Sequence, residues 1–129
     1  MAGDECKRRA PAWRKRNGAA LPAMTIRFRR RLQPFYTAAK SAMLGLTRSL
    51  ARDYGSFNIR VNAIAPGWIM TQRQMEKWLT PEGEVELMQR QCLKRKLQPD
   101  EIARFTVFLA SEEASACTNQ QYVVDGGWV

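Results

Sequence analysis

The sequence predicts an α/β fold in which helices alternate with short buried strands. Residues 36–54 carry apolar side chains at three- and four-residue steps, which is typical of a helix that packs along one side. Residues 58–65 are rich in Ile, Val and Ala and too short for a helix, so we interpret them as a buried strand. Residues 120–124 form a second short strand, and a helix that begins at Pro99 precedes it in the sequence.

The first helix combines an apolar stripe with small side chains on its other sides. Alanines and Gly45 on those sides allow close packing against a sheet or a partner helix. Gly55 is placed to end the helix in a left-handed backbone conformation. The predicted apolar stripe consists of Ala39, Met43, Leu46, Leu50 and Tyr54.

Tyr36 and Lys40, at the start of this helix, are the candidate catalytic residues. Four residues are about one helical turn, so the phenol and the ammonium project from the same side. A nearby cation favours the phenolate, and such a tyrosine can give a proton to a carbonyl or take one from an alcohol. The chain has no histidine, which leaves this pair as the candidate acid and base at neutral pH. The alternative is a chance pair that lines a helix surface.

The loop after the first strand is the candidate ligand site. Pro66 and Gly67 end the strand, and α/β proteins bind their ligands beyond the carboxyl ends of parallel strands. Residues 72–97 are predicted to form two short helical pieces broken at 80–84. The large apolar residues between 68 and 88 are more typical of packing than of substrate contact. These residues are Trp68, Met75, Trp78 and Met88.

The last helix has a clear start signal. Pro99 can occupy the first helical position, and two acids in the first turn favour the positive end of the helix dipole. We expect this helix to end at residues 111–113. Its predicted apolar face consists of Ile102, Phe105, Val107, Phe108 and Leu109.

The positive charge of the chain is concentrated in its first quarter. The net charge is +9, and residues 1–35 alone carry ten Lys or Arg and two Asp or Glu, whereas residues 36–129 have a net charge of +1. We therefore divide the chain into a basic arm, residues 1–35, and a globular part, residues 36–129. The arm shows no lasting periodicity and is predicted to be solvated or disordered. We expect no nucleic-acid partner, although basic clusters bind phosphates without needing a fold.

The cysteines favour a reducing compartment. Cys6, Cys92 and Cys117 are odd in number, widely spaced and without histidine companions, so they predict free thiols and no metal site. No apolar run approaches the length of a spanning helix, and we expect no membrane contact. Together these features predict a cytoplasmic protein.

Several motifs occur in a consistent order after Tyr36-Thr-Ala-Ala-Lys40. This ordered set resembles the C-terminal half of a short-chain dehydrogenase/reductase. The resemblance covers residues 36–129 and implies part of a Rossmann-type fold in which the two predicted strands are adjacent and parallel. It also implies a homo-oligomer that uses NAD or NADP to transfer hydride to or from a small-molecule carbonyl or alcohol substrate. The further motifs are Ile59-Arg-Val-Asn-Ala-Ile-Ala-Pro-Gly67, Pro99-Asp-Glu-Ile-Ala103, Phe108-Leu-Ala-Ser-Glu112 and Val123-Val-Asp-Gly-Gly127.

The resemblance also implies a role for each site residue. Tyr36 would be the acid and base, and Lys40 would assist it and bind the nicotinamide ribose. The loop that begins at Pro66 and Gly67 would run along the nicotinamide, with contacts from the Ile69 backbone and the Thr71 hydroxyl. No metal is implied. The competing interpretation of the loop is a plain turn between a strand and a helix.

The sequence departs from the family pattern in two places. The family usually has Thr-Gly where this chain has Thr118-Asn119, and asparagine also tolerates left-handed angles. More seriously, no serine precedes Ser41, and no glycine-rich phosphate turn is found. We therefore expect a truncated member that is weakly active or inactive. The alternative is a non-catalytic interaction module that associates through its helices and uses its basic arm for acidic partners.

Overall fold

A computed structural model describes residues 34–129 of the chain. The predicted alternation of helices and strands is confirmed there, and the two helical pieces between 72 and 97 are both present. The basic arm, apart from its last two residues, lies outside the described residues. The elements are α1 (Pro34–Gly55), β1 (Ala63–Pro66), α2 (Gln72–Lys77), α3 (Pro81–Arg90), α4 (Pro99–Ala110), a short 3-10 helix (Glu112–Ala114) and β2 (Gln121–Val124).

β1 and β2 are adjacent and parallel, as predicted. The register pairs Ala63 with Gln121 and Pro66 with Val124, and within the described residues the sheet has these two strands. The chain between them forms the crossover that a parallel pair requires. The crossover contains α2, α3 and α4, so most of the described molecule is built on the connection between two short strands.

β1 is shorter than predicted, because regular pairing starts only at Ala63 and not at residue 58. Asn58 has a left-handed φ of 60°, which interrupts an extended strand. Further along, the Asn62 side chain bonds to the backbone of the chain before β2. Its Nδ2 donates to the Cys117 carbonyl (2.7 Å), and its Oδ1 accepts from Gln120 N (3.2 Å). A side chain thus satisfies the backbone groups that a strand ladder would otherwise pair.

The end of α1 differs from the prediction. Gly55 is the last helical residue and is not left-handed; the left-handed position falls at Asn58, three residues later. Backbone bonds from Phe57 N to Tyr54 O (2.9 Å) and from Asn58 N to Gly55 O (2.9 Å) continue the turn past the glycine. Asparagine tolerates left-handed angles, so the reversal toward β1 takes place there.

The buried face of α1 is also not the predicted one. Thr47 and Ala51 are its buried residues, whereas the stripe from Ala39 to Tyr54 is exposed or half-buried, with Leu46 46% exposed. Small side chains let the helix approach β1 closely, which places the larger apolar side chains on other sides. α1 therefore retains an apolar surface that the described residues do not bury.

α4 is held against the sheet by apolar packing and by Arg60. Ile64, Leu109 and Ala114 form a buried cluster, with Ile102, Phe105 and Tyr122 among the side chains packed on it. Arg60 donates from Nη1 to the Leu109 carbonyl (2.6 Å) and from Nη2 to the Ser111 carbonyl (2.9 Å). A cation at these free carbonyls also complements the negative end of the helix dipole.

The apolar face predicted for α4 is only partly correct. Val107 is 69% exposed and Phe108 is 40% exposed, so neither belongs to the core. Leu109 is fully buried, and the half-buried Ile102 and Phe105 complete the face toward the sheet. The face is thus narrower than the run of apolar letters suggests, because consecutive residues point to different sides of a helix.

Asn119 confirms the prediction made for the turn before β2. Its φ is 59°, in the left-handed region, and its N–H donates to the Val61 carbonyl at 2.7 Å. Thr118 supports the same turn, because its Oγ1 accepts from Val61 N at 3.1 Å. The Thr-Asn pair therefore makes the turn for which the family uses Thr-Gly.

Because of Glu101, we expect the free energy of unfolding to depend on pH under acidic conditions. Hydrogen bonds from Arg95 and from the Gln98 backbone hold the pKa of Glu101 at about 2, against a reference value of 4.5. Because the folded pKa lies below the unfolded one, the contribution is present above about pH 4.5 and is lost as the pH falls toward 2. In Glu101→Gln, the urea concentration at the unfolding midpoint should therefore fall less steeply than in the wild type between these pH values.

Urea titrations at several pH values between 2 and 6 measure this effect. Glu113→Gln is the control, because Glu113 is exposed and makes no ion pair with another residue of the described part. If the Glu101→Gln variant keeps the wild-type acid dependence, the Arg95–Glu101 pair does not contribute as inferred.

Candidate functional site

Tyr36 and Lys40 lie in the first two turns of α1 and face each other. The Lys40 Nζ is 5.5 Å from the centre of the Tyr36 ring, within the range of a cation–π contact. Tyr36 is 37% exposed and Lys40 is half-buried. The one-turn spacing predicted from the sequence is therefore present as a side-chain contact, and the tyrosine ring remains accessible to a ligand.

The loop that follows β1 begins by extending the strand pairing. The Gly67 N–H donates to the Val124 carbonyl at 3.0 Å, one step past the last pair of the ladder. An added Cβ at Gly67 would lie 2.5 Å from the Asp125 Cβ and 2.6 Å from its Cα. Only glycine fits here, because the loop must pass directly against the backbone that follows β2.

Ile69 lies in the middle of the loop, and Thr71 lies at its end. The Ile69 carbonyl accepts from Thr71 N (2.8 Å), and Met70 N donates to the Leu97 carbonyl (2.8 Å). The Ile69 N–H itself donates to no other residue within 34–129. The Thr71 Oγ1 accepts from Gln74 N (3.3 Å) as the N-cap of α2, which leaves its O–H able to donate. A free amide donor and a free hydroxyl donor fit the carboxamide of a nicotinamide.

Thr71 is the N-cap of α2, a role that both the plain-turn and the cofactor-loop interpretations allow. Thr80 caps α3 in the same way, with its Oγ1 accepting from Gly83 N at 3.1 Å. The two threonines therefore share a local structural role and differ in position, since only Thr71 adjoins the loop after β1. Capping by itself does not distinguish a cofactor contact from a helix start.

The described residues do not link the Tyr36–Lys40 pair directly to this loop. No hydrogen bond, ion pair or ring contact joins either side chain to residues 66–71. α1 contacts β1 further along the helix, where Leu44 and Arg48 border a groove of about 340 Å³ with Ala63. The pair and the loop are thus carried by two elements that pack on each other, α1 and the strand β1 that precedes the loop.

Behind the loop lies a second buried cluster, formed by Trp68, Met70 and Leu87. Trp128, near the C-terminus, packs against it. The Trp68 indole Nε1 donates to Gln74 Oε1 at 3.3 Å, so this side chain joins the loop to α2. Packing is therefore the role of Trp68, as the sequence favoured, whereas Met75 and Trp78 are exposed.

Two residues around the loop were missed by the sequence interpretation. Asp125 lies directly against Gly67. Its Oδ1 accepts from Gly127 N (2.9 Å) and Trp128 N (3.3 Å), and these bonds hold the C-terminal turn. Asp-Gly-Gly after a strand is a turn signal that could have pointed to it. The other is Gln91, fully buried beside Gly126. No sequence pattern distinguishes Gln91 from its polar neighbours.

The described residues hold no candidate metal centre and no membrane helix. No three His, Cys, Asp or Glu side chains among residues 34–129 lie together in a way that could hold a metal ion. Over the same residues, no helix has both the length and the apolar character needed to cross a bilayer. Cys92 and Cys117 are free thiols, as predicted, and Cys6 lies outside the described range.

Comparison with known proteins identifies the family. A family model described as enoyl-(acyl carrier protein) reductase matches residues 6–129. D-xylose 1-dehydrogenase of Caulobacter vibrioides is 43% identical over 122 residues, which is 92% of this chain and 49% of that protein. The chain belongs to the short-chain dehydrogenase/reductase family. The probable galactose dehydrogenase GalD of Rhizobium meliloti is 49% identical over 94 residues, 73% of this chain and 37% of that protein.

Solved structures agree with the Rossmann-type fold. A 4-hydroxyisoleucine dehydrogenase complexed with NADH superposes with a TM-score of 0.76 at 29% identity, over 85% of this chain and 46% of that one. A 7α-hydroxysteroid dehydrogenase complexed with NADH and 7-oxo glycochenodeoxycholic acid gives 0.70 at 36% identity, over 85% and 45%. The chain spans half or less of the length of the curated relatives it matches.

The matched range begins before the motifs do. The family model starts at residue 6, so it includes residues that the charge distribution assigned to a basic arm. These residues lie outside the described range, and the division at residue 35 stays a prediction. The relatives are named as dehydrogenases, which does not favour the alternative of a non-catalytic interaction module.

Proposed function

We propose that residues 34–129 carry the acid/base and nicotinamide-binding part of an NAD(P)-dependent oxidoreductase site. The observation that carries this proposal is the Tyr36–Lys40 contact on a helix that packs against β1, whose end opens into the Gly67–Thr71 loop. The NADH complexes among similar structures and the sugar dehydrogenases among the relatives support it.

The Tyr36–Lys40 pair and the loop after β1 can lie at the same end of the fold. α1 reaches β1 through a tight reversal at residues 55–59, so the helix and the strand run in opposite directions. Leu44 and Ala63 both border the groove between the helix and the strand. Going back from Leu44 to Tyr36 covers about 12 Å of helix, and going forward from Ala63 to Gly67 covers about 13 Å of strand. These lengths support the proposal, because they would bring Tyr36 and the start of the loop to a similar distance from the groove.

The chemistry follows from the groups present. The Tyr36 hydroxyl would donate a proton to a substrate carbonyl in reduction, or accept one from an alcohol in oxidation. The Lys40 ammonium, one turn away and in contact with the Tyr36 ring, would bind a ribose hydroxyl of the cofactor. A bound nicotinamide would supply or take the hydride. The Ile69 N–H and the Thr71 O–H would orient its carboxamide, and Pro66 and Gly67 would bring the loop to it.

The substrate class is a small alcohol or carbonyl, and the sugar dehydrogenases among the relatives make an aldose the first choice. Because the sequence contains no glycine-rich phosphate turn, we expect this chain to bind NAD or NADP weakly and to have low turnover or none. The apolar side chains left exposed on α1 favour self-association into a homo-oligomer.

Binding of cofactor fragments tests the proposal. If the chain holds mainly the nicotinamide end, nicotinamide mononucleotide should bind as well as NAD within about threefold, and ADP-ribose should bind at least about tenfold more weakly. Saturation-transfer NMR with each ligand measures this. Thr71→Val should weaken mononucleotide binding, whereas Thr80→Val, which removes the same kind of helix cap, should not. Binding of ADP-ribose in preference to the mononucleotide would contradict the proposal.

Any turnover should depend on Tyr36. In assays of NADH formation from D-xylose or D-galactose, Tyr36→Phe should lower the rate about 10²–10⁴-fold, the usual contribution of a positioned acid/base. Tyr54→Phe, on the same helix, is the matched control. If the two variants have equal rates, the observed turnover does not arise at this site.

A further inference from the structure

The segment between α3 and α4, residues 91–97, connects two parts of the molecule that are distant in sequence. At its start, Cys92 N donates to the Gly127 carbonyl (2.8 Å) and Leu93 N to the Gly126 carbonyl (2.9 Å). At its end, the Leu97 carbonyl accepts from Met70 N (2.8 Å). This connector therefore joins the C-terminal turn to the loop after β1.

The side chain of Gln91 determines the shape of the connector. It is 0% exposed, and its Nε2 donates to the carbonyl oxygens of Leu93 and Arg95, the latter at 2.7 Å. One amide thus holds two carbonyls two and four residues further along the chain, which curls the connector around it. Its Oε1 has no partner among the described residues, so this side chain is retained in a buried position at a cost.

The C-terminal turn closes over Gln91. Gly126 has a φ of +71°, and an added Cβ would lie 2.6 Å from the Gln91 Cδ. Gly127, with a φ of +75°, also lies close to the connector, since an added Cβ would be 2.9 Å from the Cys92 Cβ. Two left-handed glycines therefore let the backbone approach the amide and enclose it.

The outer side of the connector is held by ion pairs. Arg95 donates from Nη1 and Nη2 to the Glu101 carboxylate (2.9 and 2.6 Å), which joins the connector to the start of α4. Lys96 pairs with Glu84 of α3 at 2.7 Å. Both pairs are partly exposed to solvent, which weakens an ion pair, so we take the buried amide as the main internal constraint on the position of Leu97.

We propose that Gln91 is a positioning residue for the loop after β1. By curling the connector, it places the Leu97 carbonyl that receives the Met70 N–H, and so fixes the Ile69–Met70 peptide, which adjoins the Ile69 N–H. A role for this orientation in nicotinamide binding rests on the function proposed above. The positioning itself is independent of that function, because it concerns hydrogen bonds within the chain.

Amide hydrogen exchange of the full chain, followed by NMR, tests the positioning. Gln91→Met keeps the length and removes both donated bonds. The Met70 amide should then exchange at least about tenfold faster relative to core amides such as that of Leu109, since its acceptor is no longer held. The Gly67 amide should keep its relative rate, because it bonds to Val124 and not to the connector.

Asn62→Leu is the matched control, because Asn62 is also a buried amide that ties two segments together, away from the connector. It should speed exchange broadly and leave the ratio of Met70 to Leu109 unchanged. If Gln91→Met does not fold, Arg95→Met loosens the connector from its exposed side and should raise the Met70 ratio by a smaller factor. An unchanged Met70 ratio in the folded variants overturns the proposal.

A second measurement separates this inference from the proposed function. Mononucleotide binding should weaken in Gln91→Met and not in Asn62→Leu. If the wild-type chain binds no nicotinamide ligand while the Met70 amide responds as expected, the function fails and the positioning stands. If the chain binds the mononucleotide and the Met70 amide does not respond, the positioning fails and the function stands.

Discussion

Gly67→Ala is expected to destabilise the chain by about 1–3 kcal/mol and to abolish any nicotinamide binding. The new methyl group would lie 2.5 Å from the Asp125 Cβ and 2.6 Å from its Cα. Neither atom can move by a change of rotamer, so the loop must withdraw from β2 and lose the bond from Gly67 N to Val124 O. Urea unfolding followed by circular dichroism measures the stability, and NMR measures mononucleotide binding.

Gly45→Ala is the matched control for this substitution. Gly45 lies within α1, and an added Cβ meets nothing within 4 Å. Because alanine is the better helix former, this variant should be more stable than wild type by about 0.5–1 kcal/mol. The same chemical change would thus act in opposite directions at the two positions. Equal effects at both sites would show that Asp125 yields and that the close approach is not a constraint.

The sequence predicted elements whose signals are local. The start of α4 is one example: Pro99 lies in the first turn with the acids Asp100 and Glu101, as predicted. The turn at Asn119 is another, because left-handed tolerance is a property of the residue itself. The parallel pairing of β1 and β2 followed from the family resemblance, which also implied the fold class.

Features that depend on distant partners were not predicted. The apolar pattern of α1 pointed to the stripe that includes Leu46, yet the helix buries Thr47 and Ala51, because close approach to β1 requires small side chains there. The start of β1 was placed too early because Asn62 pairs with the chain at residues 117 and 120 through its side chain. Neither choice can be inferred from residues 36–65 alone.

The candidate site shows the same division. Motif spacing gave Tyr36, Lys40 and the residues of the loop, and the structure shows the Tyr36–Lys40 contact. Gln91 could not be found in this way, because its role arises from carbonyls of the connector and from Gly126. A glutamine between Arg90 and Cys92 in a polar stretch resembles a surface residue until the C-terminal turn is folded over it.

Leu87→Ala is expected to cost about 2–5 kcal/mol and to detach α3 from the loop after β1. Leu87 is 0% exposed and packs with Trp68 and Met70. Removing its branched side chain leaves a cavity between α3 and the loop, which water can reach if the loop moves away. The tryptophan emission of the folded protein should shift to longer wavelength, because Trp68 and Trp128 border the cavity.

Leu109→Ala distinguishes this local effect from general loss of stability. Leu109 is also 0% exposed, so its replacement by alanine should lower the stability by a similar free energy. It belongs to the other cluster, which contains no tryptophan among the described residues. Its folded-state emission should therefore stay at the wild-type wavelength while its urea midpoint falls. Mononucleotide binding, measured well below both midpoints, should weaken in Leu87→Ala alone, because only that cluster supports Met70 and the neighbouring Ile69 peptide. Equal emission shifts or equal losses of binding in the two variants would mean that the two clusters do not behave separately, and that the loop after β1 is held by the fold as a whole.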